Sequence, residues 1–305
     1  MKIFNISKLE DIKKDNRKRM AALGFFDGVH KAHQNIIEDM LAQKGNDIIP
    51  VVITLNKSPK EYFGKANEES LTPLKKKSEI FKKLGIEEVY YLEFNNKLQI
   101  LSADQFIDKI LKTLGVKKVF CGYDYKFGNN GLGTPNTLKE NGLDVSVHKK
   151  EEINHLKIST TALKTFVRKK EFENYNKFAG RYYSISGIVI KGRQLGRTIN
   201  FPTANLELDA AYLLPETVGV YVTKTKVLGK MYKSLTNIGY NPTVSNSKNK
   251  KFIETHILDF DQDIYGEKIE IFFYEFLRNE QKFESFDHLK EQLKKDKEIC
   301  ERKDI

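Results

Sequence analysis

The chain has 305 residues and a mass of 35.3 kDa, a length that points to two domains of about 150 residues each. Its 40% hydrophobic and 30% charged residues exclude global disorder, and no run of 18 apolar residues or apolar N-terminal stretch marks a membrane span or a secretory signal. The net charge of +11 is uneven: residues 1–250 carry 42 basic against 26 acidic side chains, residues 251–305 only 10 against 15. Such a field suits phosphate-bearing ligands, although a lysine-rich solvated surface gives the same balance.

In chain order, an apolar strand (20–26) runs into Asp27-Gly28, followed by a helical pattern from about Lys31 to Gln43. IIPVVITL (48–55) reads as a buried strand, Thr72-Pro73 opens a helix through Leu84, and EEVYYLEF (87–94) is the next strand. A helix over 103–114 capped by Ser102, strands at 116–122 and 143–148 and a helix from Ser159 complete the first half. Strands alternating with helices predict a parallel sheet with its ligand site at the strand C-termini. Beyond about residue 180 the segments are short, β-branched and aromatic: 182–192, 218–227, 231–239, 252–260 and 268–277, then a closing helix from Asp287 to about Ile299. That pattern predicts an antiparallel barrel or sandwich. Cys121 and Cys300 lie far apart and form neither a disulfide framework nor a cysteine zinc site, so a cytoplasmic chain is expected.

GFFDGVHKAH (24–33) is the sharpest local signal. His30 and His33, three residues apart, would share one helical face about 5–6 Å apart. Paired imidazoles at a helix N-terminus make a seat for polyphosphate, and no third ligand is spaced for zinc. In ISTTALK (158–164), Ser159 and Thr160 stand where a helix cap would be and Lys164 follows one turn later. This is a phosphate clamp or an ordinary cap. In CGYDYKFG (121–128), Asp124 lines a ligand cleft or merely a turn.

In the second half, KGRQLGRTINFPTANLEL (191–208) begins with a basic loop containing Gly192, Gly196 and Arg197 that could lay backbone N–H groups along phosphates, without the ending of a Walker loop. If residues 203–205 are extended, Thr203 and Asn205 project to one side and offer hard oxygen donors for Mg²⁺; otherwise the segment is a proline turn. Glu254, on one strand face with His256 and Leu258, is the candidate acceptor for an attacking hydroxyl's proton, an acid on a barrel interior with a task. The alternative is a solvated surface strand.

Together these residues resemble the prokaryotic bifunctional riboflavin kinase/FMN adenylyltransferases (FAD synthetases). The first motif, carried by Gly24, Phe26, Asp27, Gly28, His30 and His33, is similar to the family's G-x-F-D-G-x-H-x-G-H. Gly192 to Asn205, Gly219 to Tyr221, Asn237 to Thr243 and Glu254 to Phe260 resemble its kinase motifs. The resemblance implies an α/β nucleotidyltransferase-type parallel-sheet domain over 1–178. A six-stranded antiparallel β-barrel riboflavin kinase domain with a C-terminal helix would follow over 179–305.

It further implies ATP-dependent phosphorylation of riboflavin to FMN and adenylylation of FMN to FAD. Glu254 would be the general base, and His30 and His33 would stabilise phosphates. Thr203 and Asn205 would hold Mg²⁺ and ATP, and Asp124 and Asn237 would contact the flavin. Ala32 replaces a family glycine, Thr160 a serine, Lys164 an arginine, Lys57 a frequent proline and Asn200 a glycine. The first three motivate an alternative, a monofunctional kinase with an impaired first domain. Lysine clusters such as Lys75-Lys76-Lys77 and Arg168-Lys169-Lys170 allow a flavin- or RNA-binding regulator, although no RNA-binding motif stands out. The expected partners are the small-molecule substrates, with no membrane and with a monomer or weak homo-oligomer.

Overall fold

The structure, a computed structural model, describes residues 1–64, 69–192, 201–240 and 251–305. It divides into two compact units, Met1–Ala162 and Leu163–Ile305.

The first unit begins with β1 (Lys2–Ile6), β2 (Lys18–Leu23), α1 (Lys31–Ala42), β3 (Ile48–Leu55), α2 (Pro59–Tyr62) and α3 (Leu74–Leu84). It continues with β4 (Glu88–Leu92), α4 (Asn96–Gln99), α5 (Ala103–Phe106, running on through wider turns to Lys112) and β5 (Val116–Gly122). Then come α6 (Pro135–Glu140), β6 (Asp144–His148), the small pair β7 (Glu152–Ile153) and β8 (Leu156–Lys157), and α7 (Thr160–Arg168), which crosses into the second unit. Six strands pair in the order β1-β4-β3-β2-β5-β6, every ladder parallel. Both faces are covered, so successive residues serve opposite cores. Ala21, Val51, Ile53, Val119 and Cys121 fall in one cluster, and Met20, Ala22, Val52, Val89 and Phe120 in the other. β1, at the sheet edge, has no counterpart among the predicted strands.

At the N-terminal ends of the strands a charged network is buried. Arg19 is fully buried; it donates to Glu88 at 2.9 Å, to Asp15 at 2.6 Å and to the Leu114 carbonyl at 2.6 Å. Hydrogen bonds from Arg17 and Arg19 hold the Asp15 carboxyl well below its usual range. Burial alone would raise Glu88, but hydrogen bonds from Tyr90 and Arg19 and the charges of Arg19 and Arg17 leave it lowered. Full pairing is what makes such burial tolerable.

The second unit adds α8 (Phe172–Ala179) and six strands: β9 (Ser184–Ile190), β10 (Ala204–Leu208), β11 (Gly219–Val227), β12 (Lys230–Tyr240), β13 (Lys251–Ile257) and β14 (Lys268–Asn279). They close an antiparallel barrel in the order β10-β13-β12-β11-β14-β9, and α9 (Phe286–Arg302) follows. On its interior face, hydroxyls of Thr223, Thr225, Ser234, Thr236 and Thr255, all fully buried, bond to one another at 2.8–3.0 Å. Phe172 of α8 stacks on Phe273, centroids 5.3 Å apart. On the outer face, Val220, Val222, Leu235 and Leu258 pack with Cys300 of α9. Arg278 pins that helix through a two-pronged bond to the buried Asp296.

Candidate active sites

In the first unit the site grows from the link between β2 and α1. Phe26 (φ 54°), Gly28 (φ 77°) and Val29 (φ 33°) all take backbone angles that L side chains avoid, so the turn must be held from outside. The Asp27 carboxylate accepts from Ser70 Oγ (2.7 Å) and from the Leu71 and Thr72 amides (3.0 and 3.2 Å). Thr72 Oγ1 accepts from the Gly28 amide (2.8 Å), and Thr160 Oγ1 donates to the Asp27 carbonyl (2.9 Å). The side chain of Asp27 is thus committed to the neighbouring loop, as electrostatics demands of a carboxylate near a phosphate seat.

The two histidines depart from the geometry expected of them. His30 is not a helical residue but the extended cap of α1 (φ −69°, ψ 171°), and its Nδ1 accepts from the His33 amide at 3.3 Å. Nε2 therefore carries the proton of the neutral ring. The imidazoles stack, centroids 3.5 Å apart and 15° from parallel, instead of standing side by side. His33 also meets the edge of Phe26 at 5.0 Å.

These rings line a cavity of about 740 Å³ at the C-terminal ends of the strands. Leu23 and Gly24 come from β2 and its end, Thr54 from β3, Leu92 from β4, Gly122 from β5 and His148 from β6. Phe25, Phe63 and Phe94 give it aromatic walls, and Ala32, Ser159 and Thr160 also line it. Ser159 is at once helix cap and wall: its Oγ accepts from the Ala162 amide at 3.2 Å. Asp124 reaches the rim and pairs with Lys157 (2.7 Å), whose ammonium lies 5.0 Å from the Tyr123 ring centre. His148 Nε2 lies 3.0 Å from Asp39 Oδ2. Lys157 and His148 were missed in the sequence because neither falls in a motif. Lys164 stands half-buried on α7.

In the second unit the candidate residues meet by strand register. Asn205 of β10 is paired with Glu254 of β13, and Glu254 is paired on its other side with Asn237 of β12. Side chains so paired lie on one face, with Cα atoms about 5 Å apart. The face is not the interior expected for Glu254. Asn237 shares its parity with Leu235 and its register with Val220, both on the outer face, while the adjacent Thr236 and Thr255 point into the barrel. The hydroxyl-filled interior leaves an acid no room, and the outer face leaves Glu254 half-buried.

Asn237 Oδ1 is buried and has no hydrogen-bond partner among the described residues. Asn205 lies over Gly192, where an added Cβ would come within 2.1 Å of its Nδ2. Thr203 is exposed, just ahead of β10. Gly196 and Arg197 lie outside the described residues.

His256, two residues from Glu254 on the same face, braces the approach to this row. Its Nδ1 donates to the Pro202 carbonyl at 2.8 Å, and its ring lies 5.1 Å from that of Phe201. Burial and the charge of Lys297 lower its pKa against the pull of that carbonyl. The same residues border a second cavity of about 440 Å³, with Asp259, Asp261 and Lys297 on its walls. The alternation Glu254-x-His256 was the only sequence signal for this brace.

Comparison with known proteins adds the family. The FAD synthetase family model matches residues 12–162 and the riboflavin kinase model residues 179–303. The bifunctional riboflavin kinase/FMN adenylyltransferase of Bacillus subtilis is 37% identical over 298 residues, 94% of this chain and 93% of that protein. Its counterpart in Listeria monocytogenes is 36% identical, covering 92% and 90%. A crystal structure titled macrolide-efflux protein from Streptococcus pneumoniae superposes with a TM-score of 0.91 at 30% identity, covering 99% of this chain and all of the other. Among the described residues no helix of the present chain is long and apolar enough to cross a membrane. Two matched domains in sequence, and relatives alike along nearly their whole length, place the chain in the bifunctional riboflavin kinase/FMN adenylyltransferase family.

Proposed function

We propose that the protein phosphorylates riboflavin to FMN at the Asn205–Glu254–Asn237 row and adenylylates FMN to FAD in the first unit's cavity. We assign the second reaction to residues 1–178 and the first to 179–305. The carrying observation is the register that sets Glu254 between two amide side chains on one face.

In the kinase step Glu254 takes the proton of the ribityl 5′-hydroxyl as that oxygen attacks the γ-phosphorus of ATP and ADP departs. Thr203 and Asn205 supply neutral oxygens for Mg²⁺, Asn205 packing over the Gly192 backbone. Among the described residues no cluster of three acidic, histidine or cysteine side chains could hold a metal alone. That suits a cation whose remaining ligands are phosphates and water. When bound, it neutralises charge on the phosphates. The orphan Oδ1 of Asn237 accepts a hydrogen bond from the flavin.

In the adenylyl step a phosphate oxygen of FMN attacks the α-phosphorus of ATP and pyrophosphate leaves. His30 and His33 stabilise charge on the transferring group. Phe26, by its contact with His33, and Gly24 and Gly28, by their backbone, shape the turn for the phosphates. Ser159, Thr160 and Lys164 add donors there, while Gly196 and Arg197 would add phosphate contacts in the kinase step. Asp124 and the aromatic walls hold the flavin. Thr160 keeps the hydroxyl of the family serine, and Ala32 leaves the cavity open, so the substitutions do not favour an impaired domain. The protein acts in the cytoplasm on small molecules.

Incubation with riboflavin, ATP and Mg²⁺, followed by chromatography, is expected to yield FMN and then FAD. FMN alone would remove the adenylyl assignment, and neither product would remove both.

A further inference from the structure

The triple Lys75-Lys76-Lys77 is one of the clusters that allow a binding surface for RNA, yet Lys77 is only 2% exposed. A buried ammonium is costly unless it is bonded and neutralised. Its Nζ donates to the Phe25 carbonyl at 2.8 Å and lies 4.4 Å from the centre of the Phe25 ring. Burial lowers its pKa to about 8, against the charges of Asp27 and Glu61. Four residues on, Phe81 of the same helix meets Phe26 edge-on at 5.7 Å, and Phe26 meets His33. The residues leading into α3, Ser70 to Thr72, hold Asp27 and Gly28. One segment, 70–81, is therefore the mould against which the strained turn is set.

We propose that Lys77 is a positioning residue for adenylyl transfer: by fixing the Phe25 carbonyl beneath the turn it sets the stacked pair His30 and His33 against the cavity. The inference rests on adenylyl transfer taking place in that cavity. The Phe25 carbonyl also accepts from Thr54 Oγ1 at 3.0 Å. Loss of Lys77 therefore leaves no orphaned acceptor, and the unit keeps its fold while the Phe25 carbonyl loses one of its two donors.

The test compares full-length wild type with K77M, which removes charge and donor, and K77Q, which keeps a neutral donor. FAD formation from supplied FMN and ATP, FMN formation from riboflavin, and the imidazole proton resonances of His30 and His33 are measured on the same preparations. Ring stacking displaces those resonances from ordinary positions.

In K77M the adenylyl kcat is expected to fall at least tenfold with KM for FMN within about threefold. Kinase turnover should be unchanged and the histidine resonances shifted, and K77Q should recover part of the loss. An adenylyl kcat within threefold of wild type in K77M, or unmoved histidine resonances, overturns the role of Lys77. Wild type that forms FMN but no FAD overturns instead the adenylyl reading. The resonances still decide whether Lys77 sets the histidine pair.

Discussion

The two sites are built on opposite plans. The cavity of the first unit is assembled from strand ends, where five parallel strands stop together and a strained turn, gripped by residues 70–81, presents a histidine pair. The row in the second unit is assembled from strand middles, where antiparallel register alone brings Asn205, Glu254 and Asn237 side by side. A site of the first kind fails when its loop supports are loosened. A site of the second kind fails when a single side chain on a rigid surface is altered.

The sharpest way to break the comparison is Glu254→Gln. It is expected to lower FMN formation by about 10³-fold, within the range for loss of a general base, while FAD formation from supplied FMN stays within twofold. Equal loss of both activities would show that the sites are not independent. His30→Ala tests the other side and should lower adenylylation by about 10²-fold with kinase turnover unchanged. The loss of its helix cap should cost about 1 kcal/mol in denaturant unfolding.

Gly192→Ala is a smaller perturbation. The new methyl would displace Asn205 and lower kinase kcat/KM by about tenfold, with adenylylation untouched. An unaffected kinase would mean that the position of Asn205 does not matter to the reaction.

The smallest effect on activity, and the one that probes the scaffold, is Arg19→Met. It should destabilise the first unit by about 3 kcal/mol by leaving Glu88 and Asp15 short of their partner. Both carboxyls are lowered in the folded state, so their stabilisation is complete above their ordinary values and drains away as pH falls through the lowered ones. The gap between wild type and R19M in urea unfolding should therefore shrink below about pH 4. A gap that widens with acidity would contradict the pairing.

Much of this architecture was legible in the chain. The segment 48–55 reads as a buried strand and 116–122 as a further strand, and β3 and β5 have those bounds. The GFFDGVHKAH motif led to the cavity because a strand end, a glycine and a helix start are readable locally. The stacking of its histidines was not readable, since it depends on His30 stepping out of the helix to cap it.

The face of Glu254 was misassigned because alternation gives two faces without saying which is inside. The choice fell to Thr and Ser side chains at alternate positions of β11, β12 and β13, whose mutual hydrogen bonds make a polar interior affordable. Lys77 was readable after all. It stands three residues before Ile80 and four before Phe81, on the stripe that α3 buries, and the run of lysines hid it.

Strand pairing in the second unit carries a consequence for how this protein can change over generations. Sliding β13 by one residue against its neighbours would exchange Glu254 for Ile253 or Thr255, sending the acid inward and a core side chain to the surface. Insertions and deletions are thus confined to the connections between strands. Within β10, β12 and β13 the lineage can substitute letters but cannot add or remove one.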